Sequence, residues 1–77
     1  MNWLIENNKL VKVFSFENQS KLVLFLQIIA NKADEMGHHP DVTIYKCSHM
    51  KIELTTHDLN SISQLDYELA SFIDEIK

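Results

Sequence analysis

The chain has 77 residues, and we expect residues 1–77 to fold as a single domain. Its hydrophobic content of 45% excludes a disordered chain, and its net charge of -4 without a basic cluster argues against nucleic-acid binding. The single cysteine, Cys47, excludes a disulfide framework and favours a reducing, cytoplasmic location. The longest apolar run, Leu22 to Leu26, is too short to span a bilayer, so no membrane association is expected.

The first two predicted elements form a β-hairpin. Trp3-Leu4-Ile5 is a short apolar run, and Lys9 to Phe16 is a strand rich in valine and phenylalanine. Asn7-Asn8 separates them and suits a tight turn, because asparagine tolerates a positive φ better than most residues.

A long amphipathic helix is predicted from Glu17 to Met36, with Asn18 as its N-cap. Gly37 is placed to end the helix in the left-handed conformation. The core-facing residues recur at helical spacing: Leu22, Phe25, Leu26, Ile29, Ala33 and Met36. Leu24 and Ile28 lie outside this stripe, so we expect a second subunit to cover them.

The second half of the chain repeats the order of two strands and a helix. Asp41 to Cys47 and Met50 to Thr55 are predicted strands, joined by a turn at Ser48-His49 that exposes His49 to solvent. Ser63-Gln64-Leu65-Asp66 fits a capping box that begins the last helix. The apolar stripe of that helix contains Leu65, Leu69, Phe72, Ile73 and Ile76.

The order ββαββα predicts an α+β fold with two layers. Hairpin connections imply a four-stranded antiparallel sheet, and the two helices are expected to cover one face of it.

Three histidines mark the predicted functional site. His38-His39 follows the first helix, Pro40 holds His39 in an extended conformation, and His57 follows the last strand. If the last two strands pair as a hairpin, these histidines meet at one end of the sheet. Histidine exchanges protons near neutral pH, which suits general acid–base catalysis.

Two other interpretations of the histidines stay open. The first is a metal site, although adjacent histidines in an extended segment point to opposite sides and are poor joint ligands. The second is that they are surface or capping residues without a chemical role. Asp34 lies where the helix dipole disfavours an acid, so it is a candidate to orient a neighbouring histidine. The capping box explains the acid at position 66 without a chemical role for Asp66.

These residues form a pattern that resembles the pterin-4a-carbinolamine dehydratase family, also known as the dimerisation cofactor of a homeodomain transcription factor. In chain order, the pattern is Asp34-x-x-x-His38-His39-Pro40, then Tyr45, then Thr56-His57, then Asp66. The first hairpin and the last helix also resemble the family, through Trp3, Leu10-x-x-x-Phe14-x-Phe16 and Leu69-Ala70-x-Phe72-Ile73. The resemblance covers nearly the whole chain.

The resemblance implies an enzyme that removes water from 4a-hydroxytetrahydropterin and gives quinonoid dihydropterin. It implies that His38, His39 and His57 are catalytic, and that no metal or organic cofactor is needed because no redox step occurs. The substrate-binding residues would be His38, His39, Pro40, Thr56, His57, Asp58 and Leu59. Asp34 would support the histidine pair.

The resemblance also implies a homodimer or homotetramer. It places the protein in tetrahydropterin recycling, after the aromatic amino acid hydroxylases. A non-catalytic module that stabilises the oligomer of another protein on the same scaffold is the alternative function.

Overall fold

The structure, a computed structural model, describes residues 2–77. In chain order it contains β1 (Leu4–Glu6), β2 (Lys9–Ser15), α1 (Gln19–Met36), β3 (Asp41–Tyr45), β4 (His49–Leu54) and α2 (Gln64–Ile76). The four strands form one antiparallel sheet in the order β1-β2-β4-β3. The predicted α+β fold with the order ββαββα is therefore confirmed.

The core lies between one face of the sheet and the two helices. Met50, Ile52 and Leu54 alternate along β4 and are fully buried, as their spacing predicted. Their partners from the helices include Leu22, Phe25, Ile29, Leu69 and Ile73. Leu65 is an exception to the predicted stripe of α2, because it is 40% exposed. It precedes the buried Asp66 in the first turn, so the helical rotation between neighbouring residues turns it outward.

Both ends of α1 form as predicted. The side chain of Asn18 accepts a hydrogen bond from the backbone N–H of Lys21 at 2.9 Å. Gly37 adopts a left-handed conformation with φ 64°, and the backbone N–H of His38 donates to the carbonyl of Ala33 at 3.0 Å. The end of the helix therefore fixes the backbone from which His38 projects.

Replacing Gly37 by alanine is expected to lower the free energy of unfolding by about 1–2 kcal/mol, because the left-handed backbone is strained for a residue with a Cβ. No atom lies within 4 Å of the added Cβ, so steric clash adds nothing. Urea denaturation of Gly37→Ala measures the loss. Gly37→Asn is the matched control and should lose less, since asparagine tolerates this conformation. Equal losses in both variants would contradict the explanation.

The turn between β3 and β4 lies earlier in the chain than predicted. Lys46 and Cys47 both have positive φ values, 49° and 56°, so β3 ends at Tyr45 and His49 begins β4. The prediction of a solvent-exposed His49 at the turn is wrong, because His49 is partly buried with its ring centroid 5.3 Å from that of Tyr45. Lysine and cysteine have no marked preference for the left-handed region, so the sequence carried no signal for this turn.

Three large apolar residues of α1 lie on the surface. Val23 is 52% exposed, Leu24 is 66% exposed and Ile28 is 46% exposed. We call these three residues the exposed apolar stripe. The exposure of Leu24 and Ile28 is what their position outside the core pattern predicted. Within residues 2–77, neither helix combines the length and the apolar character that crossing a membrane requires.

Candidate active site

The β3–β4 hairpin brings the predicted site residues to one end of the sheet. Asp41, the first residue of β3, pairs with Glu53 near the end of β4. The segment that enters β3 and the segment that leaves β4 are therefore neighbours. His38 and His39 lie in the first of these segments and His57 lies in the second, so their predicted convergence is present in the structure.

An open pocket of about 300 Å³ lies between these two segments. Its lining consists of Gly37, His38, His39, Pro40, Asp41, Thr56, His57 and Asp58. Among the predicted pocket residues, Leu59 alone is not part of this lining, and it is 63% exposed. The chain turns sharply there, with the N–H of Leu59 donating to the carbonyl of Thr56 at 3.1 Å, and this turn leaves Leu59 on the outer surface.

A fully buried carboxylate anchors His38. Asp66 has no exposed surface, and its Oδ1 lies 2.6 Å from Nε2 of His38. The other oxygen, Oδ2, accepts hydrogen bonds from the hydroxyl of Thr56 at 2.9 Å and from the backbone N–H of Ser63 at 2.8 Å. One carboxylate therefore connects the segment before β3, which contains His38, with the segment after β4 and with the start of α2.

The contact with Asp66 selects one tautomer of neutral His38. An ionised carboxylate can only accept hydrogen bonds, so Nε2 of His38 is the donor in this contact. His38 then donates from Nε2, and its Nδ1 carries a free lone pair. The nitrogen that is available to a ligand is therefore Nδ1, acting as an acceptor.

His39 has a separate carboxylate partner on the other helix. Its Nε2 lies 2.7 Å from Oδ1 of Asp34, and both side chains are well exposed. Asp34 thus contacts His39 and not His38. The two adjacent histidines diverge, as expected for an extended segment, and each is oriented by an acid from a different helix.

His57 differs from the other two histidines because its side chain is exposed and has no hydrogen-bond partner in the part of the chain that the structure describes. Its imidazole is in contact with solvent. The pocket thus contains two oriented imidazoles and one that is unrestrained.

The described residues contain no group of three or more histidine, cysteine, aspartate or glutamate side chains arranged to hold a metal ion. Tyr45, which belongs to the family pattern, lies at the opposite end of the β3–β4 hairpin from the pocket, beside His49.

Asp66 belongs to the family pattern, but the sequence reasoning gave it no role at the site, because the capping box seemed to explain it. Capping occupies only Oδ2 and leaves Oδ1 for His38. A signal was present in the sequence. Asp66, Leu69 and Ile73 have the i, i+3, i+7 spacing of one helix face, which predicts a carboxylate that is buried with the core.

The sequence and the fold both match known proteins. Residues 1–76 match the family model described as pterin 4 alpha carbinolamine dehydratase. A protein of Sulfolobus acidocaldarius is 43% identical over 75 residues, covering 97% of this chain and 81% of the relative. A protein of Chloroflexus aurantiacus is 37% identical over 75 residues, covering 97% of this chain and 80% of the relative. Both are named as pterin-4-alpha-carbinolamine dehydratases, and in both cases the activity is inferred.

Two solved structures share the fold. The transcriptional coactivator/pterin dehydratase of Brucella melitensis has a TM-score of 0.88 at 23% identity, covering 97% of this chain and 79% of that one. A pterin dehydratase-like protein identified as a RuBisCO assembly factor in the alpha-carboxysome has a TM-score of 0.77 at 22% identity, with coverage of 97% and 88%. At these identities the likeness shows the fold alone. The match of the family model over residues 1–76 shows that the chain belongs to the pterin 4 alpha carbinolamine dehydratase family.

Proposed function

We propose that this protein removes water from a 4a-hydroxytetrahydropterin and releases the quinonoid dihydropterin. The observation that carries the proposal is the meeting of His38, His39 and His57 around one pocket in a chain of this family. In the reaction the C4a–O bond breaks, the hydroxyl leaves as water and a ring nitrogen loses a proton. The reaction therefore needs one acid and one base, and it has no redox step.

His38 is suited to act as the base. Asp66 holds the proton of neutral His38 on Nε2 and leaves the lone pair of Nδ1 available to a ring N–H. When Nδ1 accepts a proton, the imidazolium is stabilised by the carboxylate 2.6 Å from Nε2. The same contact fixes the orientation of the ring, so little reorganisation is needed during proton transfer.

His57 is suited to act as the acid. The departing hydroxyl must receive a proton, and the acid must then recover one from water before the next turnover. The exposed and unrestrained imidazole of His57 can do both. His39, tethered to Asp34, borders the same pocket and contributes to binding or to proton transfer.

The remaining predicted pocket residues have positioning roles in this proposal. Pro40 restrains the backbone of His39. The hydroxyl of Thr56 donates to Asp66 and so strengthens the anchor of His38. Asp58 borders the pocket at its exposed side. The imidazoles supply both the acid and the base that the reaction needs, so the proposal includes neither a metal nor an organic cofactor.

Turnover of 4a-hydroxytetrahydropterin tests the proposal. Wild-type protein should accelerate the dehydration, and His38→Ala and His57→Ala should each lose about 10²–10⁴-fold in rate, the usual contribution of one acid–base group. His49→Ala is the matched control, because this histidine lies in β4 at the opposite end of the hairpin. Circular dichroism would verify the fold of each variant. A wild-type rate equal to the uncatalysed rate would overturn the proposal.

The exposed apolar stripe on α1 favours association, and we propose that it packs against a second copy in a homodimer or homotetramer. It also favours a second candidate function, a non-catalytic module that stabilises the oligomer of another protein. Such a module would give a stable complex in a pull-down that His38→Ala leaves unchanged. The cytoplasmic location and the place in recycling after the aromatic amino acid hydroxylases stay predictions.

A further inference from the structure

A groove lies between the outer surfaces of the two helices, separate from the histidine pocket. Its volume is about 440 Å³, and it shares no lining residue with that pocket. Its lining consists of Lys32 and Met36 from α1 and of Gln64, Tyr67, Glu68, Ser71, Phe72 and Glu75 from α2. We call it the helix groove. It extends along about three turns of α2, roughly 16 Å, and contains no residue of the exposed apolar stripe.

The floor of the helix groove is apolar. Met36 and Phe72 are partly buried and pack against the core. Tyr67 presents a large ring to solvent, with 38% of its surface exposed. Methionine and aromatic residues are enriched on surfaces that bind other proteins, because they offer a large apolar contact area. The groove therefore has the composition of a protein-binding surface.

The charges of the helix groove that lack a partner are negative. Lys32 is the only cation of the lining. It pairs with Glu35 at 3.3 Å, and its ammonium group lies 5.4 Å from the ring centroid of Phe72. Glu68 and Glu75 are exposed, and neither forms an ion pair with any residue between 2 and 77. A partner with positive side chains complements this surface, and an anionic partner is repelled by it.

We propose that the helix groove binds a basic amphipathic helix of a partner protein. The apolar face of such a helix packs on Met36 and Phe72, and its lysine or arginine side chains face Glu68 and Glu75. A helix satisfies its own backbone hydrogen bonds. An extended segment would leave its backbone groups unpaired here, because both walls of the groove are helices whose backbone groups already pair internally.

A second copy of this chain is a poor occupant of the helix groove. In a symmetric dimer both copies present the same patch, so Glu68 and Glu75 of one copy would lie near the same carboxylates of the other. The net charge of -4 acts in the same direction at longer range, since it attracts a basic partner and repels another copy. The groove thus differs from the uncharged exposed apolar stripe, which suits self-association.

Peptide binding followed by nitrogen-15 NMR tests this proposal. The probe is a leucine–lysine peptide of about 18 residues with its leucines at helical spacing, long enough to form a helix. A second peptide has glutamate in place of each lysine. We expect the basic peptide to shift the amide signals of the groove residues in α2 and at the end of α1. The acidic peptide should bind at least about tenfold more weakly in low salt.

Two substitutions of serine by arginine locate the binding site. Ser71→Arg places a long positive side chain on an exposed position of the groove lining, and we expect it to raise the Kd of the basic peptide by at least about tenfold. Ser20→Arg is the matched control, because it makes the same change at an exposed serine of α1 beside the exposed apolar stripe. This control should keep the Kd within about twofold of the wild-type value. Circular dichroism would verify the fold of both variants.

Three results would overturn the proposal. They are an unchanged Kd in Ser71→Arg, equal or absent binding of the two peptides, and amide shifts confined to residues 23–28. The last result would place the peptide on the exposed apolar stripe instead of the helix groove. None of these measurements depends on turnover, so each of these results leaves the dehydratase proposal standing.

Discussion

Asp66→Asn is expected to lose about 10²–10⁴-fold in turnover of 4a-hydroxytetrahydropterin while it retains its fold. The amide oxygen can still accept from the Ser63 N–H and the Thr56 hydroxyl, which places the amide NH₂ against Nε2 of His38. Nε2 must then accept a hydrogen bond, so the proton of neutral His38 moves to Nδ1. The variant therefore presents the wrong tautomer to the substrate, and kcat/KM measures the loss.

Two further variants distinguish this tautomer effect from a structural one. Nitrogen-15 NMR of His38 should show the proton on Nε2 in the wild type and on Nδ1 in Asp66→Asn. Ser63→Ala is the control, because it removes the contact of Ser63 with Thr56 at the start of α2 and keeps the carboxylate on His38. Asp66→Ala should also lower stability, since buried donors left without partners cost about 1–3 kcal/mol each. Activity of Asp66→Asn within about threefold of wild type would refute the base assignment.

Ile29→Ala is expected to lower the free energy of unfolding by about 2–5 kcal/mol, the range for emptying a fully buried aliphatic position. Ile29 lies near the middle of α1 and has no exposed surface. A chain of this length has a total stability of about 4–12 kcal/mol, so the expected loss is a large fraction of the total. Urea denaturation followed by circular dichroism measures the change.

Ile28→Ala is the matched control for Ile29→Ala, because it deletes the same atoms one residue earlier, at a position that is 46% exposed. In dilute solution its loss should stay within about 0.5 kcal/mol, as for most surface substitutions. Similar losses at both positions would contradict the assignment of the core. Sedimentation velocity at higher concentration would show whether Ile28→Ala weakens the proposed association through the exposed apolar stripe.

The predictions that succeeded rest on residues whose chemistry acts locally. Asn7-Asn8 forms its turn with positive φ values of 51° and 63°, Asn18 caps α1, and Gly37 ends it. The alternation of Met50, Ile52 and Leu54 fixed which face of β4 is buried. The antiparallel pairing of the last two strands was enough to bring the histidine segments together.

Three features of the structure were not predicted from the sequence. The left-handed turn at Lys46 and Cys47 has no signature in residue type, so the position of His49 was wrong. Leu59 lies outside the pocket because backbone hydrogen bonds fold its loop into a turn. The contact between Asp66 and His38 joins residues 28 positions apart, and only the packing of α2 against the sheet determines it.

One oxygen of Asp66 accepts a hydrogen bond at the start of α2, and the other contacts His38. The local stability of the helix is therefore coupled to the orientation of His38 in the site. Helix termini open far more often than the core, in local events that leave the rest of the fold intact. Each opening of the first turn of α2 releases His38. Hydrogen exchange at the amides of residues 63–66 therefore reports how often the pocket is disassembled. On warming, the first turn of α2 should open at a lower temperature than the sheet unfolds. Catalytic activity should therefore fall before the fold as a whole is lost.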